Sequence, residues 1–188
     1  MSLIPLGLVS TLVLGQVSEP SGARVQAIQA VERGLFVQTD LGAGVNVAGF
    51  GSADGSVGAS LSAHLGYDIL PVFNIAVGGF AMTVPNGSSF DADAPASGSD
   101  DFLVGATARA QLAVLTSERD FLWVRGEGGI AFALPGDEPD AVFGGAVTYE
   151  HFTKLRHFSL GLTAGALVFS QDPLAVSILV TPTLKFTF

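Results

Sequence analysis

The sequence predicts an all-β protein, an eight-stranded antiparallel up-and-down transmembrane β-barrel, and three observations support this. Apolar residues alternate with small or polar residues from Leu35 to the end of the chain, which is the period of a β-strand. Turn-forming residues divide this region into separate alternating stretches. Charged residues make up only 13% of the 188 residues, about half the usual share. Much of the surface is therefore expected not to face water.

The last stretch, Leu174–Phe188, carries the pattern most strictly. Phe188, Phe186 and Leu184 lie on one face, and the intervening positions, which include Lys185, lie on the other. Such a strand separates two different solvents. The preceding stretches read in the same way, and tight turns or polar loops interrupt them. The predicted strands are Leu35–Val47, Val57–Ile69, Val72–Val84, Phe102–Leu115, Phe121–Ala133, Ala141–Phe152, Phe158–Phe169 and Leu174–Phe188. The fifth departs from the pattern, because Trp123 falls on its polar face.

The first 34 residues are expected to lie outside the barrel. Met1–Val17 carries no charge and resembles the apolar part of a secretory signal peptide, cleaved after Gly15. Because a basic region is missing, a membrane-anchoring helix stays the alternative, although a span of this length containing Pro5 is poor. We therefore expect a signal peptide at 1–15, a short periplasmic segment at 16–34 and an outer-membrane barrel at 35–188.

The choice between a soluble and a membrane barrel depends on which face is apolar. With the apolar face outward, the charged residues of the strands all point into the lumen, where they can pair. These predicted lumen residues are Asp40, His64, Asp68, Arg109, Arg125, Glu127, Glu150 and Lys185. The outward aromatic residues then fall at strand ends, as in interfacial girdles. One girdle contains Tyr67, Phe73, Tyr149, Phe158 and Phe186, and the other contains Phe102, Phe132 and Phe143. The lumen-facing side is also rich in Gly, Ser, Thr and Gln and predicts a poor hydrophobic core, so the membrane barrel is preferred.

Connection lengths predict an orientation. Short turns are expected to be periplasmic, and they hold the basic residues Arg119, Lys154 and Arg156 with His157. The long connections are acidic and are expected at the cell surface. The net charge of −9 disfavours nucleic acid, and the absence of cysteine excludes disulfides and thiolate metal sites.

Several chemistries compete with this structural interpretation. The lumen charges could line a pore or relay protons, but side chains fill an eight-stranded barrel, so a salt-bridged plug is favoured. A lipid-modifying enzyme would need a nucleophile near a base such as His151, and the sequence offers none beside it. Calcium could bind Asp91, Asp93, Asp100 and Asp101 in an acidic loop. Phe50 and Phe90, apolar residues within loops, suggest partner contacts. No catalytic residue, cofactor or metal ligand is assigned.

The strand region resembles the small eight-stranded outer-membrane barrels such as the OmpA transmembrane domain and OmpX. Alternation, hairpin order, Gly66-Tyr67-Asp68 and the terminal Phe188 carry this resemblance. It implies a porin-like barrel in the cell envelope of a Gram-negative bacterium. Phe188 would then be an assembly signal read by the barrel-assembly machinery, and the partners would be outer-membrane lipid and other envelope proteins. Independently of this resemblance, closure of the barrel places the last strand beside the first, which makes Asp40 a candidate partner for Lys185.

A second resemblance links Ala30–Leu41 and the Ala/Gly/Val-rich composition to outer-membrane proteins of the myxobacterial gliding motility machinery, such as CglE. It implies a non-enzymatic structural component of a surface complex. A general envelope-integrity or adhesion barrel of the OmpX type is the alternative, and a lipid-modifying enzyme is the third.

Overall fold

The computed structural model describes residues 32–85, 101–134 and 138–188, apart from the side chain of residue 52. This part of the chain forms eight strands and one short 3-10 helix, Gly51–Ala53. The predicted strand bounds agree with it to within one residue at every end, and the predicted all-β class is confirmed. The strands are β1 (Leu35–Ala48), β2 (Val57–Leu70), β3 (Phe73–Val84), β4 (Asp101–Thr116), β5 (Asp120–Leu134), β6 (Asp140–Phe152), β7 (Phe158–Phe169) and β8 (Ala175–Thr187).

The strands form one closed antiparallel barrel in which each strand pairs with its neighbours in sequence. β1 pairs with β2 on one side and with β8 on the other, so that Gln38 lies opposite both His64 and Lys185. Closure leaves no strand edge with unpaired backbone groups. Among the described residues, no helix is long and apolar enough to span a membrane.

The two faces of the wall differ as the alternation predicts. On β1, Leu41 is 64% exposed and points outward, whereas the neighbouring Asp40 is 3% exposed and points into the lumen. Arg109 on β4 is only 4% exposed. Apolar side chains thus cover the outside of the barrel, and the charged side chains in the middle of the strands lie inside it, which is the reverse of a soluble protein.

The lumen also contains an apolar core at the long-loop end, which the sequence analysis did not predict. Its members share an inward position near the loop-side ends of the strands or in the first loop, and they include Phe50, Phe80, Met82, Val84, Leu103, Val142, Leu167 and Phe169. The Phe169 ring contacts the rings of Phe50 and Phe80 at centroid distances of 5.9 and 6.4 Å. The expectation of a poor hydrophobic core was therefore wrong for this end of the lumen.

Inward glycines allow the strands to pack closely around this narrow interior. A Cβ at Gly129 would lie 1.9 Å from the backbone oxygen of Ala106, and one at Gly78 would lie 2.0 Å from that of Ala63. No real contact is that short, so a side chain at either position would push neighbouring strands apart.

Candidate functional site

The middle of the lumen is occupied by a cluster of two arginines and two carboxylates. Asp40 Oδ2 lies 3.3 Å from Arg109 Nη1 and 3.2 Å from Arg125 Nη1. Glu127 contacts the same two guanidinium groups, at 3.5 Å from Arg109 Nη2 and 3.3 Å from Arg125 Nη2. Gln38 and Ser62 donate further hydrogen bonds to Asp40, of 2.9 and 3.1 Å. The four charges balance, and they cross-link β1, β4 and β5 through the interior.

A second ion cluster lies nearer the short turns. Lys185 Nζ is 3.4 Å from Asp68 Oδ1 and 3.8 Å from Glu150 Oε1. It also lies 4.3 Å from the centroid of the Phe36 ring and 5.6 Å from that of Trp123. The indole of Trp123 donates a 2.7 Å hydrogen bond to Glu150 Oε2. Aromatic faces and carboxylates thus surround the ammonium group on different sides.

The expected pair between Lys185 and Asp40 was wrong, and the strand register gives the reason. Lys185 lies opposite Gln38, whereas Asp40 lies opposite Thr183, one inward position nearer the long loops. Both arginines of the central cluster bind Asp40. Lys185 instead contacts Asp68 and Glu150, which lie nearer the short turns.

His64 also points into the lumen, but it contacts a threonine hydroxyl and belongs to neither ion cluster. Its Nε2 lies 3.0 Å from Thr107 Oγ1, and both side chains are buried. Its Nδ1 has no hydrogen-bond partner within the described part of the chain. The structure therefore places all eight predicted lumen residues inside the barrel and divides the charged ones between two clusters.

The first loop closes the lumen at the long-loop end. Phe50 is 0% exposed, packs against Phe169, and its backbone N–H donates a 2.8 Å hydrogen bond to Asp54 Oδ1. Gln171 in the last loop donates to the backbone oxygen of Gly49. The expectation that Phe50 contacts a partner was wrong, because the loop folds inward and its aromatic ring completes the apolar core. Phe90 lies outside the described residues.

Arg33 closes the opposite, short-turn end and was missed by the sequence analysis. Its guanidinium group lies over the Phe121 ring at 5.8 Å and donates a hydrogen bond to the backbone oxygen of Pro71. Burial lowers the pKa of Arg33, and the attraction of Asp68 and Glu150 opposes that shift. The preceding residue, Glu32, lies 2.6 Å from His157 on the β6–β7 turn. The sequence did contain a signal for Arg33. The predicted lumen residues held four acids and only three bases, and Arg33 is a basic residue just before the first strand.

The predicted aromatic girdle residues all lie on the outer side of the wall. Tyr67, Tyr149 and Phe186 are between 44% and 54% exposed at the short-turn end. Phe102 and Phe143 are 49% and 58% exposed toward the long-loop end. Phe73, Phe132 and Phe158 share the outward position but are only partly exposed. Phe188 is 64% exposed and packs edge-on against Phe186 at 5.2 Å.

An aspartate, a tyrosine and a histidine form a cluster at the outer short-turn rim. His151 Nδ1 lies 2.8 Å from Asp120 Oδ1, and the Tyr149 hydroxyl donates a 2.6 Å hydrogen bond to the same oxygen. A carboxylate that orients a histidine supplies two of the three members of a catalytic triad. In the described part of the chain, the hydrogen bonds of His151 include no serine hydroxyl. The nucleophile that such chemistry needs is thus not brought to it.

No group of three or more His, Cys, Asp or Glu side chains that could hold a metal ion occurs among the described residues. Three members of the predicted calcium set, Asp91, Asp93 and Asp100, lie outside those residues. Asp101 is the first residue of β4 and is buried.

A closed up-and-down barrel with an apolar outer wall and a filled, charged lumen defines the class: a small β-barrel of the transmembrane type. Comparison with solved structures agrees with this class. The crystal structure of Neisserial surface protein A (NspA) is similar to this chain with a TM-score of 0.62 and 15% sequence identity, over 82% of this chain and 97% of NspA. De novo designed transmembrane β-barrels align with a TM-score of 0.44 and 13% identity, over 82% of this chain and 96% of the design.

No protein-family model and no curated protein matches the sequence. The likeness to NspA establishes the eight-stranded fold. The resemblance to a gliding motility protein finds no support in these comparisons.

Proposed function

We propose that this protein is an integral outer-membrane barrel that does not conduct and that acts as a structural or interaction component of a cell-surface complex. One observation carries the proposal: the outer wall is apolar while the lumen is charged, filled and closed at both ends. An apolar wall of this extent far exceeds the few hundred Å² of contiguous apolar surface that soluble monomers usually expose. A bilayer is the solvent in which such a wall is stable.

The filled lumen supports a role other than transport. The central ion cluster blocks the lumen at mid-height, with side-chain exposures from 1% to 7%. Phe50 covers one end of the lumen and Arg33 covers the other. A permeating ion would have to displace paired, buried charges, and this is costly.

The orientation belongs to the proposal as well. The short turns, with Arg119, Lys154 and Arg156, would lie in the periplasm, and the acidic loops would lie at the cell surface. The aromatic side chains at the two rims would sit at the two membrane interfaces. Phe188 would be recognised by the barrel-assembly machinery, so that Phe188→Ala lowers the amount of assembled barrel without changing synthesis of the chain. Normal assembly of that variant would count against this role.

The complex is inferred from the sequence alone. The resemblance of Ala30–Leu41 to a gliding motility component names one setting. Deletion of the gene should then abolish gliding, and the tagged barrel should co-purify with other envelope proteins. Unchanged gliding with altered surface adhesion or envelope integrity would favour the alternative, a general barrel of the OmpX type.

The Asp120–Tyr149–His151 cluster favours one further candidate, a lipid-modifying enzyme at the membrane interface. Lipase or deacylase activity of the purified barrel that disappears in His151→Ala would establish it. Identical lipid composition of membranes with and without the protein would exclude it.

Two measurements on purified protein test the central proposal. The barrel should float with phospholipid vesicles, resist carbonate extraction, and migrate differently on gels before and after boiling. In planar bilayers the inserted protein should give no stable channel. A large, stable conductance would overturn the closed-lumen interpretation, and failure to insert would overturn the membrane interpretation.

A further inference from the structure

The outer wall of the barrel carries a groove next to the central ion cluster, and its lining includes Arg109 and Glu127 of that cluster. It has a volume of about 710 Å³ and extends from Leu35 at the start of β1 across β2 to β5. Tyr67, Ile75 and Val77 form one side of it, and Ala108, Ala110 and Gly126 form its base. Enclosed ligand sites have volumes of roughly 300–1,000 Å³. This groove has a similar volume but is wide open on its outer side.

The strand register explains why the wall recedes at this place. Tyr67 lies opposite Ile75, Ile75 lies opposite Ala110, and Ala110 lies opposite Gly126. The outward side chain therefore becomes smaller at each step around the barrel. The next outward row repeats the trend, from Leu65 to Gly128 through β3 and β4. The groove is thus built by a gradient of side-chain size across paired strands.

Packing within the protein does not require the small residue at the base of the groove. A Cβ at Gly126 would meet no atom within 4 Å, whereas one at the inward Gly129 would lie 1.9 Å from a backbone oxygen. Glycine weakens a strand, and within strands it often marks a place where a ligand or another backbone approaches closely. Gly126 is therefore better explained by something outside the chain than by its own neighbours.

We propose that this groove binds one acyl chain of a membrane phospholipid. The inference rests on the membrane location proposed above. The groove is continuous with the apolar outer wall, which contacts hydrocarbon in a bilayer. A second barrel would present a convex wall, which touches a concave groove only along its edges, whereas a flexible chain can follow its base. Tyr67 lies at the short-turn end of the groove, where its hydroxyl group can donate to a glycerol ester or phosphate oxygen.

The preference for the groove comes from packing. An acyl chain in the bilayer is already surrounded by hydrocarbon, so entry into the groove brings no hydrophobic transfer term. The chain gains close dispersion contacts on several sides in place of looser contacts with neighbouring lipids. We therefore expect a preferentially occupied, slowly exchanging lipid position.

Photocrosslinking tests the proposal on the full chain. The protein is reconstituted in vesicles of phosphatidylethanolamine and phosphatidylglycerol that contain a phospholipid with a diazirine at the middle of one acyl chain. After irradiation, peptide mapping should find severalfold more label on the outward residues of the groove than on the outward residues of β7 and β8. The double variant Ala108→Leu/Ala110→Leu should reduce groove labelling to the level of β7.

A matched control adds the same side-chain volume elsewhere on the outer wall. Ala43→Leu/Ala164→Leu changes two exposed outward alanines that do not line the groove, and it should leave groove labelling unchanged. Even labelling around an inserted barrel, or equal groove labelling in both double variants, would overturn the acyl-chain proposal. Crosslinking of the groove to a second copy of the chain would overturn it in favour of a protein occupant. Failure of the wild-type protein to float with the vesicles would instead overturn the membrane location.

Discussion

Replacement of Asp40 by Asn tests the central ion cluster most directly. The substitution keeps the shape of the side chain but removes the carboxylate that both Arg109 and Arg125 contact, at 3.3 and 3.2 Å. Glu127 alone then faces two buried guanidinium groups, and the balanced cluster gains a net positive charge. The amide also presents N–H donors toward arginines that can only donate.

The expected size of the effect follows from these distances. At an effective dielectric constant of about 20, each contact at this separation is worth roughly 5 kcal/mol of gross Coulomb energy. The amide costs less to bury than the carboxylate, and this difference offsets part of the lost Coulomb energy. Removal of one partner from a buried ion pair typically costs about 3–5 kcal/mol, and we expect Asp40→Asn to fall within that range.

Trp123 makes the measurement simple. It is the single tryptophan of the chain and is buried in the lumen, so its fluorescence reports loss of the folded interior. Urea unfolding in vesicles, followed by this signal, gives the free energy of unfolding of each variant. Asp120→Asn is the matched control, because its carboxylate lies on the outer rim with 42% of the side chain exposed, and a much smaller loss is expected.

A double-mutant cycle decides whether the arginine contact is responsible. Asp40→Asn/Arg125→Met leaves Arg109 and Glu127 as a balanced pair, so the double variant should be more stable than the sum of the single losses predicts, by about 0.5–3 kcal/mol. Losses that add to within about 0.5 kcal/mol, or a stability of Asp40→Asn within about 1 kcal/mol of wild type, would refute the reasoning.

Three further predictions use the same unfolding measurement. Gly129→Ala should destabilise the barrel by about 1–3 kcal/mol, because the added Cβ would overlap the backbone oxygen of Ala106. Gly126→Ala is the control and should have no such effect, because its Cβ meets open space. Equal losses of stability in the two variants would contradict the packing argument. Phe50→Ala should cost about 3–5 kcal/mol, because it empties the core at the long-loop end, and a neutral result would mean that the first loop does not close the lumen. Thr163→Val should cost about 1–3 kcal/mol, because this hydroxyl bridges two other buried threonines at 2.8 and 2.9 Å; no loss would show that the bridge contributes nothing.

The strands and the direction of each side chain were predictable because they depend on a local rule. A residue in a strand points to the face opposite its neighbour, so composition along the chain is enough to separate Asp40 from Leu41. Predicted strand ends were accurate because turn residues and loops interrupt the alternation. The inward position of the charged residues followed from the same rule.

Partner choice within the lumen was not predictable in this way. Lys185 and Asp40 lie on adjoining strands, but which acid lies at the height of the ammonium group depends on the register between β1 and β8. That register depends on the pairing around the whole barrel, which a period of two does not encode. The roles of the two closing residues were not predictable for a related reason. Phe50 and Arg33 lie outside the strands, where the alternation rule assigns no direction.

The pairing of β1 with β8 has a consequence for how the barrel is assembled. These strands come from the two ends of the barrel sequence, and their pairing closes the sheet that the intervening hairpins build. Until then the sheet has two free edges, and hydrocarbon cannot satisfy their N–H and C=O groups. An unclosed sheet in a bilayer would therefore be costly, and pairing of β1 with β8 removes that cost. Closure of this seam is thus the step that satisfies the last backbone groups of the wall.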